Sequence, residues 1–275
     1  MDKQVKLSAE QLEKLQQVEL DILIEIDRIC KKTNIKYTLI GGSLLGAIRH
    51  QGFIPWDDDA DVAMLRKEYD KFVKACEVYL DKEKFYFQDM YCTSGYRWGY
   101  AKMRKKDTLF LRCGQEHMPY EQGIFVDIFP VDNVPDNVIL QKLQNLHCFC
   151  IRKIMWSEVG KKIDKKIILR LWYYILCKIP EKVIKQHMRG VIQQYNRKET
   201  VLGRTLLYPL SPQINGYNRE WYINTEEILF EGIWLQATIY SKQYLIVKYG
   251  KDYMQLPEAE KRKCHPVTSI DFGEK

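Results

Sequence analysis

Four aspartates lie within one five-residue stretch, Asp57-Asp58-Asp59-Ala60-Asp61. Acidic and apolar residues alternate over residues 59–65, which predicts a half-buried strand with Asp59 and Asp61 on the same face. Two neighbouring carboxylates repel each other unless a cation lies between them, and hard oxygen ligands suit Mg²⁺ or Mn²⁺. The spacing therefore predicts a metal site at Asp59 and Asp61, while the two-residue period does not place Asp57 and Asp58.

Another acid, Asp127, is flanked by apolar residues in the β-type run 124–129. An acid in such a run is not typical of a solvent-facing position. If this strand pairs beside Asp61, three carboxylates surround one metal site. The alternative is a buried aspartate whose oxygens accept hydrogen bonds from backbone N–H groups.

Gly41, Gly42 and Ser43 lie between a short β-type run, 37–40, and a predicted helix over 43–50. Glycines allow close approach of the backbone to a ligand, and the unpaired N–H groups at a helix start favour phosphate. The alternative interpretation is an ordinary turn.

The elements that position these residues follow from hydrophobic periodicity. Ser8 and Gln11 form a predicted capping box for a helix whose apolar face runs from Leu12 to Ile29. Further helices are predicted at 66–80, 138–196 and 240–249, and further strands at 85–91 and 98–103. Pro130, Asn133 and Pro135 are predicted to end the sheet region.

The fold class is therefore predicted as α+β, with a mixed sheet and flanking helices followed by a helical C-terminal part. A change in composition near residue 135 divides the chain into a catalytic part, 1–135, and a mostly helical part, 136–275. We expect the second part to pack on the first and complete the site.

Composition excludes several classes. With 275 residues, 46% hydrophobic and 29% charged, the chain is typical of a globular protein rather than a disordered, collagenous or coiled-coil one. Eight cysteines are too few for a disulfide scaffold. Residues 1–11 lack the apolar core of a signal peptide, and the longest apolar stretch, 167–177, is too short to span a bilayer. We expect a cytoplasmic protein.

The positive charge is concentrated in one block. Residues 139–200 hold fourteen Lys and Arg against four Asp and Glu, a net charge of +10. The whole chain carries +7, so the rest of the chain is slightly negative. Trp156, Trp172, Tyr173 and Tyr174 lie among these cations. Because such residues favour an anionic membrane surface, we expect salt-sensitive peripheral binding to the inner leaflet without insertion. The alternative is a set of helices packed on the catalytic part with solvated lysines.

The run GGSLLGAIRHQGFIPWDDDADVAM, residues 41–64, closely resembles the signature of the LicD family of phosphocholine transferases, which are related to fukutin and fukutin-related protein. Weaker family features are Tyr100-Ala-Lys102-Met-Arg104, the segment around Asp127 and a tail that ends at His265. The resemblance covers about residues 20–265 and implies a nucleotidyltransferase fold.

This resemblance implies transfer of phosphocholine from CDP-choline to a hydroxyl of a cell-surface glycan or glycan precursor, with release of CMP. Asp59, Asp61 and Asp127 would hold Mg²⁺ or Mn²⁺, and Asp127 or a histidine, His50 or His265, would act as general base. The donor phosphates would contact Gly41, Gly42, Ser43, Arg49, Lys102 and Arg104.

Aromatic rings near the acidic segment could surround a quaternary ammonium, and the candidate choline contacts are Trp56, Trp98 and Tyr100. Such rings are also common in a core. Alternative donors are CDP-ribitol, CDP-glycerol and a phosphoethanolamine donor. A nucleic-acid-binding or nucleotidyl-adding protein is a further alternative, although the acidic half of the chain is not basic and carries no RNA-binding motif. We expect no nucleic-acid partner, and an acceptor that can be lipid-linked.

Overall fold

A mixed β-sheet carries the acidic segments at the centre of the fold. The computed structural model describes residues 5–211, 213–262 and 264–273. The strands are β1 (Thr38–Leu39), β2 (Asp61–Leu65), β3 (Phe85–Gln88), β4 (Ala101–Lys105), β5 (Leu109–Arg112), β6 (Phe125–Val134), β7 (Leu202–Arg204), β8 (Tyr217–Asn218), β9 (Thr225–Phe230), β10 (Ile233–Thr238) and β11 (Val267–Asp271). The chain is α+β, as predicted, with a seven-stranded sheet in the order β1-β2-β6-β4-β3, in which β7 pairs with the last three residues of β6 and β8 pairs with β7.

Helices flank this sheet and form most of residues 138–195, directly after β6. The predicted helical run 138–196 is three helices, separated by short breaks. The helices are α1 (Ala9–Thr33), α2 (Gly41–His50), α3 (Arg66–Tyr79), α4 (Val138–Ile163), α5 (Ile167–Leu176), α6 (Glu181–Tyr195) and α7 (Ser241–Tyr249).

The capping box predicted for α1 is confirmed. The Ser8 hydroxyl accepts a hydrogen bond from the Gln11 N–H, and the Gln11 side chain accepts one from the Ser8 N–H. The apolar face of α1 packs against α3, β4 and β6. Glu19 lies on this buried face and is 1% exposed, so α1 also brings an acid beneath the sheet.

The two strands that carry the acids are parallel neighbours. In the β2–β6 pairing, Asp61 lies opposite Asp127. Every residue of β6 is buried, which agrees with its position between β2 and β4 in the interior of the sheet.

The prediction that Pro130 and Asn133 end the sheet is wrong, because β6 continues to Val134. On one side, β4 pairs with residues 125–128 and β7 with residues 132–134. Pro130 lies between these two partners, so its missing N–H costs no bond to either strand.

Two element boundaries near the site differ from the prediction. Helix α2 begins at Gly41 rather than Ser43, because the Leu44 N–H already donates to the Ile40 carbonyl at 3.1 Å. Gly41 enters the helix with a φ of 59°, which glycine tolerates. Strand β2 begins at Asp61 rather than Asp59. Asp59 therefore lies in the preceding loop, and the strand period does not align it with Asp61.

Residues on both sides of position 135 contribute to the larger buried core, among them Ile22, Val62, Phe230 and Val267. A second core joins α4 and α6 to the loop that precedes β4. The division into 1–135 and 136–275 stays a prediction. Strands β5 and β11 pair with each other, and β9 and β10 form a hairpin; the sequence analysis did not predict these pairings.

Within the described ranges, no helix combines the length and apolar character needed to cross a membrane. Residues 1–4, which belong to the polar N-terminal stretch discussed above, lie outside those ranges.

Candidate active site

Asp61 and Asp127 are the structural centre of the candidate site. They are direct neighbours in the β2–β6 register, so both side chains leave the sheet on the same face. The Asp127 N–H donates to the Ala60 carbonyl at 2.9 Å, and the Asp61 N–H donates to the Ser43 hydroxyl at 2.8 Å. The two acidic strands thus pair with each other, which was the condition for a shared metal site at Asp61 and Asp127.

Burial and mutual repulsion act on this pair. Burial raises the pKa of Asp61 well above its usual value, and the nearby Asp59 and Asp127 carboxylates raise it further. The pKa of Asp59 is also raised, chiefly by burial. Because buried carboxylates with raised pKa values gain from a positive charge, the cluster suits a cation.

Asp59 reaches the site from the loop before β2. Its Oδ2 atom lies 3.3 Å from Arg112 Nη2 and 3.5 Å from His265 Nδ1. Arg112, on β5, was not identified from the sequence. The available signal was the apolar run Leu109-Phe110-Leu111, which the arginine ends in β5.

Asp58 holds the C-terminal segment against the acidic loop. It is 1% exposed, and its two oxygens contact the backbone N–H of His265 at 2.8 Å and the His265 ring Nδ1 at 3.0 Å. This pairing orients the His265 ring and leaves Nε2 as its second ring nitrogen.

Asp57 and Glu19 complete the acidic cluster. Burial raises the pKa of Asp57 to about 7, with Asp59 and Asp58 adding to the effect. Burial also raises the pKa of Glu19 well above its usual value, again with help from the loop aspartates. Glu19 Oε2 is buried without a hydrogen-bond partner among the described residues.

The Gly41-Gly42-Ser43 turn lies directly against these acids. A Cβ atom on Gly41 would lie 3.0 Å from Asp61 Oδ2, and one on Gly42 would lie 2.2 Å from Asp57 Oδ2. The Gly41 N–H donates to the Tyr244 hydroxyl at 3.3 Å. The first-turn N–H groups of Gly42 and Ser43 have no acceptor within the helix, as at any helix start.

Lys102 is paired with Asp127. The two residues are register partners on β4 and β6, and the Lys102 ammonium contacts Asp127 Oδ1. Burial lowers the pKa of Lys102 to about 7, although the Asp127 carboxylate acts in the opposite direction. Lys248, on α7, is a second cation near the acids: burial lowers its pKa, while Asp61 and Asp59 raise it. The only indication in the sequence was that Lys248 follows Tyr244 by four residues, about one turn of the same helix.

The other predicted phosphate contacts have different surroundings. Arg104 is buried, and it donates to Gln88 Oε1 at 2.6 Å and to the Gly123 carbonyl. Arg49 donates to the carbonyls of Tyr253 and Gln255 at 3.1 and 3.2 Å, so it holds the C-terminal segment.

Three cavities lie in this part of the molecule, and one of them includes Asp61. One, of about 300 Å³, is lined by Lys102, Arg104, Arg112 and His265 together with aromatic rings; we call it the cationic cavity. A second, of about 190 Å³, includes Asp61 and Lys248; we call it the tyrosine cavity. A third, of about 260 Å³, has Arg152 and Lys153 on one wall; we call it the α4 cavity. The tyrosine cavity is named after the five tyrosines that line it: Tyr208, Tyr217, Tyr222, Tyr244 and Tyr249.

The candidate choline contacts separate in space. Trp98 and Tyr100 line both the cationic cavity and the α4 cavity. Trp56 lines none of these three cavities. Its ring lies 4.5 Å from the Arg262 guanidinium carbon and 5.9 Å from that of Arg49, so cations of the protein already occupy its surroundings.

Two donor sets could hold a divalent cation. One is the group Asp58, Asp59 and His265, whose ligand atoms lie within 4.8 Å of one another. In that group, however, both Asp58 oxygens already contact His265. The other is the predicted set of Asp59, Asp61 and Asp127, which supplies only the hard oxygen ligands that Mg²⁺ and Mn²⁺ prefer, but whose ligand atoms do not all lie within 4.8 Å of one another.

Comparisons with known proteins relate this arrangement to one family. The family model described as LicD/FKTN/FKRP, nucleotidyltransferase domain, matches residues 34–153. The lipopolysaccharide cholinephosphotransferase LicD of Haemophilus influenzae is 30% identical over 268 residues, which cover 93% of this chain and 96% of that protein. An uncharacterized protein of Rickettsia prowazekii is 33% identical over 116 residues, which cover 42% of this chain and 40% of the relative. The range of the family match contains the Gly-Gly-Ser turn, the acidic loop, Lys102 and Asp127.

Proposed function

The chain belongs to the LicD family, and on this basis we propose that it transfers phosphocholine from CDP-choline to a glycan hydroxyl and releases CMP. The relative that covers almost the whole chain is a lipopolysaccharide cholinephosphotransferase. The observation that carries the proposal is the pair of half-buried Asp61 and buried Asp127, side by side on parallel strands, with a cavity that includes Asp61.

Mg²⁺ or Mn²⁺ would be held by Asp59, Asp61 and Asp127. The residues fit such an ion, because the cluster is buried, its carboxylates repel one another, and their oxygens are hard ligands. The bound cation would neutralise phosphate charge during in-line transfer. Ser43 supports this set by accepting the Asp61 N–H, which orients the first residue of β2.

The cationic cavity is the proposed site of the donor diphosphate. Lys102, Arg104 and Arg112 line it without a carboxylate among its lining residues. Lys102 already contacts Asp127, so a phosphate there would lie beside the acid pair. The N–H groups of Gly42 and Ser43 would bind phosphate oxygens from the other side of the pair.

The tyrosine cavity is the proposed site of the choline head. A trimethylammonium group is stabilised by aromatic faces, and this cavity offers five tyrosines with a single cationic side chain, Lys248, among its lining residues. The cationic cavity, with three cationic side chains and His265, would repel the same group. This assignment moves the choline contacts away from Trp56 and Trp98.

His265 is the proposed proton acceptor. The acceptor oxygen forms a bond to the phosphorus that bears choline, the bond from that phosphorus to the bridging oxygen breaks, and CMP leaves with the electron pair. The proton of the hydroxyl passes to His265 Nε2, because Nδ1 is directed at Asp58. Asp127 is less suited to this role, since it already contacts the Lys102 ammonium.

A panel of CDP-alcohols tests the proposal. Choline, ethanolamine, ribitol and glycerol donors are each incubated with the protein, Mg²⁺ and candidate glycans, and CMP release is measured. We expect glycan-dependent CMP release that is fastest with CDP-choline. Faster turnover of CDP-ribitol or CDP-glycerol would show that the donor is that compound instead of CDP-choline. Activity only with nucleoside triphosphates and RNA would show that the protein adds nucleotides and does not transfer phosphocholine.

A further inference from the structure

Helix α5 is almost entirely apolar, and it is also almost entirely exposed. Of its ten residues, Ile167–Leu176, only Tyr173 is buried, and Tyr173 packs against Gly160 of α4. Ile168, Trp172 and Ile175 are 77%, 53% and 62% exposed. Their spacing of four and three residues places them on one side of the helix.

The N-terminal half of α4 also carries exposed apolar side chains. Leu143, Leu146 and Phe149 recur every three residues and are 56%, 61% and 46% exposed. Lys153 joins the two helices, since its Nζ atom lies 5.4 Å from the ring centroid of Phe149 and 5.9 Å from that of Tyr173. We call the six exposed apolar residues the α4–α5 face: Leu143, Leu146, Phe149, Ile168, Trp172 and Ile175.

Cations border α5 at both ends. Lys165 and Lys166 precede it, Lys178 and Lys182 follow it, and all four are exposed. They belong to the block 139–200, which carries a net charge of +10. An exposed apolar patch of this kind marks an interaction surface, and its charged rim limits the choice of partner.

We propose that the α4–α5 face docks the protein on an anionic lipid bilayer, with α5 lying in the plane of the headgroup region. Apolar and aromatic side chains would enter the boundary with the acyl chains, while the lysines contact acidic headgroups. A second copy of this chain is a poorer partner, because pairing two such faces would bring like charges together.

The dimensions of α5 agree with a helix that lies on the membrane. Ten helical residues extend about 15 Å, about half of the hydrocarbon thickness. The sequence predicted salt-sensitive peripheral binding through the cations and the aromatic residues among them, without insertion. The exposed apolar side of α5 adds a contribution that salt does not screen. We therefore expect binding that salt weakens but does not abolish.

The α4 cavity lies next to this face. Lys153 lines that cavity and also approaches the Phe149 ring on the α4–α5 face. A glycan acceptor carried by a membrane lipid would thus arrive beside the α4 cavity. Trp98 and Tyr100 line both this cavity and the cationic cavity. The docking proposal itself does not rest on the identity of the donor.

Vesicle co-sedimentation tests the proposal, with the full chain and vesicles of phosphatidylcholine alone or mixed with phosphatidylglycerol. The apolar variant is Ile168→Gln/Trp172→Gln/Ile175→Gln. Its matched control is Val78→Gln/Trp234→Gln/Leu256→Gln, whose positions lie elsewhere and are 71%, 56% and 57% exposed. The charge variant is Lys165→Gln/Lys166→Gln/Lys178→Gln, with Lys67→Gln/Lys82→Gln/Lys242→Gln as its control.

We expect the wild-type chain and both controls to bind the anionic vesicles, with partial release at high salt. The charge variant is expected to lose about fivefold in affinity for each lysine removed. The apolar variant is expected to bind the vesicles at least about tenfold more weakly and to lose the part of the binding that resists high salt. All variants are expected to keep the wild-type unfolding temperature and the rate of CMP release with a soluble acceptor.

Several results would overturn the proposal. Absence of binding to anionic vesicles at low salt is one, and wild-type binding by the apolar variant is another. A dimer in light scattering that the apolar variant dissociates, without vesicle binding, would assign the face to self-association. Because CMP release is measured separately, failure of docking and failure of the proposed reaction are distinguishable.

Discussion

Lys102 and Asp127 lie opposite each other on antiparallel strands, and the ammonium contacts the carboxylate while both side chains are 5% exposed. Asp127 is at the same time the direct neighbour of Asp61 on the other side of β6. One aspartate thus connects a buried cation to the acid pair, so the local charge balance depends on strand register.

Removing Lys102 should cost stability. In Lys102→Met the Asp127 carboxylate stays buried without its cation, and we expect a loss of about 3–5 kcal/mol in the free energy of unfolding. The double variant Lys102→Met/Asp127→Asn should recover part of that loss, because it no longer buries an uncompensated charge. Urea unfolding of the three proteins measures both values. Equal stability of Lys102→Met and the wild type would mean that the ion pair contributes nothing.

Gly42 should be needed for the position of Asp57. An alanine Cβ there would lie 2.2 Å from Asp57 Oδ2, so the carboxylate must move. We expect kcat/KM of Gly42→Ala to fall about 10²-fold, as for other displacements of about 1 Å in a catalytic site. Gly190→Ala is the control: its Cβ would meet nothing within 4 Å, and α6 should gain about 1 kcal/mol. A fully active Gly42→Ala would show that the Asp57 position is not needed.

Tyr249 should contribute to choline recognition. We expect Tyr249→Leu to raise KM for CDP-choline about 2- to 30-fold, the range of a cation–π contact, with a smaller effect on CDP-glycerol. Trp56→Leu is the comparison, because Arg49 and Arg262 lie over the Trp56 ring and the ring lines none of the three cavities. For this variant we expect no change in KM. The opposite pattern in steady-state kinetics would return the choline site to Trp56.

His265 should act on kcat rather than on donor binding. If its Nε2 accepts the proton, His265→Gln is expected to lower kcat about 10²- to 10⁴-fold with little change in KM. Thermal unfolding of the same variant checks the fold, since His265 also holds Asp58. A variant with wild-type kcat would exclude His265 as the proton acceptor.

The α+β class and the acidic segments could be predicted because each depends on local patterns. The alternation that leads into β2, the glycine pair at the start of α2 and the apolar setting of Asp127 are all visible within short windows. The pairing of β2 with β6 could be expected only conditionally, and the structure places Asp61 and Asp127 side by side.

The contributions of Arg112, Lys248 and His265 to the site could not be predicted from spacing, because they depend on contacts between distant segments. Arg112 reaches Asp59 across 53 positions, and Asp58 contacts His265 across 207. The misplaced start of β2 has a similar origin. Asp59 fits the alternating pattern, but its side chain is directed at Arg112 from the loop before the strand.

Transfer of labelled choline phosphate by Asp61→Asn and Asp127→Asn tests the central claim most directly, with Asp252→Asn as an exposed control. The wild-type chain and the control should add one phosphocholine group per CMP released, seen by mass spectrometry of the glycan. Both site variants should stay folded and lose at least about 10³-fold in rate, since several kcal/mol of charge stabilisation disappears. Near wild-type transfer by either variant at saturating Mg²⁺, or no transfer by the wild-type chain, would contradict the account.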